Sequence, residues 1–163
     1  MEAVGTPSTS PDWPSLFPPG FHPVTIEVLR ASCVQAFPLS STRAPIMRGL
    51  EAILERLRES SIPCEVWVDG SFVTRKLDPQ DSDILVCVKG ATYNSASPAQ
   101  RGVIQWIIGN LKGTHLCDSY VLVEFDPPHP LSAESAKWRA YWRGWFAFNR
   151  AEEPKGIALL RLG

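Results

Sequence analysis

Between Val66 and Val88 the sequence reads VWVDGSFVTRKLDPQDSDILVCV, with Asp81 and Asp83 one residue apart at the head of an apolar run. Strand residues two apart point to the same side, so these carboxylates share one face while Ser82 and Ile84 share the other. Like charges so placed repel, and the arrangement calls for bulk solvent or for a cation between them. A pair of carboxylates suits Mg²⁺, which completes its octahedron with water and substrate phosphates, with Mn²⁺ able to substitute. Nine residues before Asp81, Gly70-Ser71 closes an earlier apolar run. There the glycine allows close backbone approach, and the serine hydroxyl with adjacent N–H groups can donate to phosphate oxygens. A phosphate clamp facing a metal clamp is the equipment of nucleotidyl transfer, which depends on positioning and charge neutralisation.

Such chemistry wants a third carboxylate, and the apolar run Ser119 to Phe125 offers Asp118 at its start and Glu124 near its end. They lie about 20 Å apart at roughly 3.3 Å per residue and cannot serve one site. Asp118 is the candidate, because it opens a strand as Asp81 and Asp83 do; Glu124 is expected to be a solvated or structural acid. Arg75 and Lys76, between the two clamps, can neutralise triphosphate charge or be ordinary exposed turn cations. Asp69 reads first as a turn or capping acid and Lys155 as part of a charged turn, although either can face the site.

The elements that must carry these residues follow from pattern. A length of 163 residues suits one domain with its own core. Residues 1–23 hold six of the fifteen prolines and read as an irregular, partly disordered arm, leaving a single domain over 24–163. Helices are expected from Thr25 to before Pro38 and from Ser40–Thr42 to about Ser60. A third starts at the capping box Ser97-Pro98-Ala99-Gln100 and runs to about Lys112, with Gly113 as its stop. Glu65–Val68 and Ile84–Val88 are neighbouring strands, Lys89–Ser97 a loop, Ser119–Phe125 a third strand, and Lys155–Leu160 a last one. After Ser132 as cap, Trp138, Tyr141, Trp142, Trp145 and Phe146 form an aromatic helical face, fit for the core or for a partner.

Net charge is −1, so there is no global basic field, and a nucleic acid or anionic membrane would need a local patch. The four cysteines form no CxxC pair and make no zinc spacing with the three histidines; buried reduced thiols are expected. Nowhere do about 18 apolar residues run together, and the N-terminus has no leader pattern, so the expectation is a cytoplasmic protein without a membrane span.

Gly70-Ser71, the spacer of nine, Asp81-Ser82-Asp83-Ile84 and the later CDSYVLV together resemble the nucleotidyltransferase superfamily related to DNA polymerase β. The wider chain, through LFPPGFHPVT, WVDGSFVTRKLDPQDSDILV and YWRGWFAFNRAEEPKGIALL, is similar to a bacterial family of small members from about residue 16 onward. The resemblance implies an α/β (α+β) fold, a mixed sheet of about four to five strands with helices mainly on one face. It implies that Gly70 and Ser71 grip the β and γ phosphates and that Asp81 and Asp83 bind two Mg²⁺ ions. Asp118 would be the third metal ligand and a base for the attacking hydroxyl. Ser82 departs from the superfamily pattern, which has an apolar residue there; facing away from the metals, it threatens packing more than catalysis. Transfer of NMP, AMP foremost, from an NTP to a hydroxyl on a protein or RNA is the expected activity, since no residues remain for an acceptor domain. Minimal relatives often sit in toxin–antitoxin or defence loci, so a partner toxin or a second copy is the expected company. The alternative is a non-catalytic, antitoxin-like partner that binds nucleotide or toxin without turnover.

Overall fold

The computed structural model describes residues 13–163. Five strands form one sheet in the order β1-β5-β2-β3-β4: β1 is Gly20–Pro23, β2 Cys64–Asp69, β3 Ser82–Lys89, β4 Cys117–Glu124 and β5 Gly156–Leu162. β1 runs parallel to β5 and β3 parallel to β4, while β5–β2 and β2–β3 are antiparallel. The sheet is mixed because β5 is inserted between β1 and β2.

Helices cover both faces unequally. On one lie α1 (Ile26–Arg30, continuing as a wider turn through Gln35), α2 (Arg43–Glu59) and α4 (Pro98–Ile108). Their apolar stripes, Ile46, Leu50, Ile53 and Leu57 from α2 and Val103, Ile104 and Ile107 from α4, meet Val66, Val68, Ile84, Val86 and Val88 of the sheet in the main core. Each fully buried side chain of this size stabilises by about 1.5–3 kcal/mol. The other face carries α6 (Ser132–Phe146), whose Phe146 packs with Trp67, Leu85, Leu122, Ile157 and Leu159 in a smaller core. The expected mixed sheet with helices mainly on one face is what forms.

The local signals mostly hold. Thr25 caps α1 by accepting from the Val28 N–H at 3.3 Å, and Ser97 with Gln100 forms the capping box of α4. Four expectations are corrected. The proline-rich stretch, as far as it is described, is not wholly irregular: Gly20–Pro23 is an edge strand, which Pro23 ends without breaking. Residues Gly90–Asn94 of the expected loop form a helical turn, α3. α4 stops at Ile108, because Leu111, which continues its apolar pattern, is buried from the following turn, and Gly113 lies inside a second short helix, α5 (Lys112–His115). Ser132 is the first residue of α6 rather than its cap. Residues 1–12 of the expected arm lie outside the described residues.

Ser82 is buried and its hydroxyl donates to the Cys117 sulfur at 3.3 Å on the face away from α6, as its parity requires. Glu124 is a structural acid, buried against Arg139 at 2.6 Å. All four cysteines are buried and free. No helix among the described residues is long and apolar enough to cross a membrane.

Candidate active site

Strand register brings the acids together. Asp69 on β2 stands opposite Asp83 on β3, and Asp83 opposite Asp118 on β4. In-register neighbours share a sheet face with Cβ atoms about 4.5–5.5 Å apart, so three carboxylates lie abreast at one end of the sheet, on the α6 side. The next row on that face, Trp67, Leu85 and Tyr120, is aromatic and apolar. Gly70 adopts φ +84°, and a Cβ there would come within 2.9 Å of Asp83 Oδ2. Only glycine satisfies both the backbone and the packed carboxylate.

Burial first, and like charge second, set the protonation. The Asp83 carboxyl is pushed up to about 6, chiefly by burial and then by Asp81 and Asp118, with Lys155 and Lys112 opposing. Asp69 is also pushed up to about 6 by burial, although Lys155 Nζ lies 2.9 Å from its Oδ2; Asp83 adds to the rise. Its Oδ1 is buried without a hydrogen-bond partner among the described residues. Asp81, just ahead of β3, pairs with Lys112 Nζ at 2.9 Å, and that bond holds the lysine proton more tightly. Asp118 Oδ1 accepts from Asn110 Nδ2 at 2.6 Å. Burial, then the Asp118 charge, pushes the neighbouring Tyr120 hydroxyl up to about 12.

The Gly-Ser loop is held from below. Ser71–Val73 makes one tight turn, and Thr74 Oγ1 donates back to Ser71 O at 2.7 Å. Arg43, the first residue of α2, is fully buried with no carboxylate partner among the described residues. Its guanidinium donates to the carbonyls of Phe72 and Thr74, both at 2.6 Å, and of Cys33, Lys76 and Leu77, while stacking 3.8 Å from the Phe37 ring. Farther along, Asp78 Oδ1 accepts from the Ser41 N–H at 2.9 Å and the Ser40 hydroxyl at 3.0 Å, tying the loop to the start of α2.

A cleft of about 1380 Å³ opens above this row. Asp69, Gly70, Ser71, Lys76, Asp81 and Asp83 line one wall; Trp145, Phe148, Arg150 and Lys155 line the other. Asp118 adjoins Asp83 without lining the cleft, and Arg75 is exposed outside it. The sequence reading undervalued Asp69 and Lys155 and overlooked Asn110 and Lys112. Asp69 gains its place only through register with Asp83; the one local hint was an acid ending an apolar strand directly before Gly70.

Among the described residues no three His, Cys, Asp or Glu side chains converge as a ligand set, Asp81 being turned to Lys112 and Asp118 to Asn110. The donor chemistry nevertheless fits a hard cation: oxygen ligands only, and a repulsion at Asp83 that a divalent ion would relieve.

A family model described as a family of unknown function (DUF6932) matches residues 11–161, and the chain belongs to that family. No curated protein and no solved structure matches it.

Proposed function

We propose that this DUF6932 member is a Mg²⁺-dependent nucleotidyltransferase that moves an NMP, AMP foremost, from an NTP to a hydroxyl on a macromolecular acceptor. The observation that carries the reading is the in-register row Asp69–Asp83–Asp118 directly beside the anchored Gly70-Ser71 loop. Asp81, Asp83 and Asp118 are the residues that would hold two Mg²⁺ ions, which supply charge neutralisation to the phosphates. The Ser71 hydroxyl and the N–H groups after Gly70 donate to phosphate oxygens, and Lys76, on the same wall, adds positive charge. The acceptor hydroxyl oxygen forms a bond to the α-phosphorus, the bond to the pyrophosphate oxygen breaks, and a carboxylate oxygen of Asp118 takes the hydroxyl proton. The Gly70-Ser71 loop is anchored by Arg43 and Thr74 without any ligand, and positioning is where phosphoryl chemistry gains most. Four free thiols and dependence on NTP accord with a cytoplasmic setting, in which a toxin or a second copy would be the partner.

One observation favours a second reading. Lys112 and Lys155 already neutralise Asp81 and Asp69, which suits a protein that binds nucleotide or a partner toxin without turnover. Incubating the protein with each labelled NTP and Mg²⁺ in host lysate, beside Asp81→Asn/Asp83→Asn, separates the two. Label on a macromolecule with the wild type alone supports transfer; Mg-NTP binding with no labelled product supports the second reading.

A further inference from the structure

The cleft does not end at the carboxylates. Its far wall is the last turn of α6, and from there an aromatic ridge runs back along the helix: Trp145, Tyr141 and Trp138 are 51, 56 and 45% exposed. None of the three belongs to the smaller core, which Phe146 and Trp142 fill from the adjoining flank of the helix. The ridge starts next to the site. Trp145 lies 5.4 Å from the Tyr120 ring, and Tyr120 is two residues from Asp118 on the same face of β4. At 1.5 Å per residue, Trp138 to Trp145 covers about 10 Å of helix, close to three base steps at roughly 3.4 Å each.

Charge on this segment departs from that of the whole chain. From Lys137 to Arg150 there are four cations and no acid, although the net charge overall is −1. Arg139 is committed inward to Glu124 and Glu65. Lys137, Arg143 and Arg150 have no carboxylate partner among the described residues. Glu134, at the start of the helix, accepts from the Trp138 indole N–H at 2.9 Å and so fixes that ring, which is set edge-to-face with Tyr141. Arg143 leaves α6 on the flank away from the ridge, but Lys137 adjoins Tyr141 around the helix and Arg150 lines the cleft; exposed rings with uncommitted cations beside them are the means by which proteins hold unpaired bases and their phosphates together. An acidic peptide would need the cations without the faces, and a duplex hides its bases.

We infer that the α6 ridge is a track for single-stranded nucleic acid, whose end enters the cleft past Trp145. Only the claim that this end supplies the acceptor hydroxyl rests on the proposed nucleotidyl transfer; binding to the track does not.

The test is fluorescence anisotropy with a labelled 12-nucleotide oligoribonucleotide, its DNA counterpart and the annealed duplex, without NTP or Mg²⁺. The single strands are expected to bind, and the duplex at least tenfold more weakly. Trp138→Ala/Tyr141→Ala should lose at least about tenfold in affinity, since stacking contributes on the order of 1–3 kcal/mol per base. Trp138→Phe/Tyr141→Phe should keep most of it. Lys137→Ala/Arg150→Ala should flatten the dependence of log K on log salt by about 1.4, at roughly 0.7 per phosphate contact, and Arg58→Ala, on α2 at the other face of the sheet, should bind like the wild type. No single-strand binding, equal duplex binding, or an Ala variant that binds like the wild type while retaining its circular dichroism spectrum overturns the track. So does sedimentation showing a wild-type dimer that the Ala variant dissolves, which makes the ridge a contact between copies. NMP transfer onto a protein with no oligonucleotide bound overturns the claim that the bound end supplies the acceptor hydroxyl, and leaves the catalytic reading standing. Oligonucleotide binding without any transfer supports the track and counts against the catalytic reading.

Discussion

The two walls of the cleft are built on different principles. The Gly70–Asp78 wall is tied into the main core by Arg43, whose guanidinium gathers five carbonyls, and by Asp78 at the start of α2. The opposite wall, residues 147–155, is closed mostly on itself. Asn149 accepts from the Ala151 and Glu153 N–H groups, the Lys155 N–H donates to Ala147 O, and among the described residues the one side chain bonded across is Lys155, to Asp69. A wall fixed by the interior suits groups common to every substrate, such as phosphates; a self-contained wall can vary its aromatic lining without disturbing the fold.

The contrast can be broken at several points. Asp83→Asn should reduce nucleotidyl transfer at least about 10²-fold, the scale of losing one preorganised electrostatic group, in a labelled-NTP assay. The same change should raise the melting temperature of the metal-free protein at neutral pH, because it removes a repelled carboxylate. Arg43→Met should destabilise by more than about 3 kcal/mol, since several buried carbonyls lose their donor at about 1–3 kcal/mol each. Hydrogen exchange after this change should accelerate at 71–77 while 147–155 keeps its rate; equal acceleration of both walls would erase the distinction.

Acidity offers a milder probe. Asp69 and Asp83 ionise near 6 when folded against an ordinary 3.8, so the folded state holds their protons more tightly. The stability this gives is full below pH 3.8 and is lost as pH rises through about 6. In EDTA, stability should therefore fall by about 1 kcal/mol per group between pH 5 and pH 7.5. Added Mg²⁺ should restore more at pH 7.5 than at pH 5, and Asp83→Asn should flatten the slope. The smallest effect is expected at Ser71→Ala, about a five- to tenfold loss in kcat/KM for one hydrogen bond to phosphate, with stability unchanged.

What was legible in the sequence depended on distance along the chain. Asp81 and Asp83 declare a shared side through a period of two, and Asp118 through its place at a strand opening. The Ser97–Gln100 capping box is equally local. Asp69 looked like a turn acid because its meaning lies in the partner across the strand. Lys155 looked like a charged turn because nothing near it says that β5 inserts beside β2. Arg43 is silent in sequence, since the groups it binds are carbonyls, and every residue has one. Leu111 misled by continuing the α4 pattern past the point where the backbone turns.

The insertion of β5 also imposes an order of assembly. Among the described residues β1 pairs only with β5, and the Gly156 N–H donates to a serine 141 residues earlier, so these partners meet only after everything between them has been synthesised. β2, β3 and β4 can pair before then, and in that interval Asp69 and Asp83 stand side by side without Lys155. The docking of β5 therefore does two things at once: it closes the sheet between β1 and β2 and delivers the Lys155 cation to Asp69.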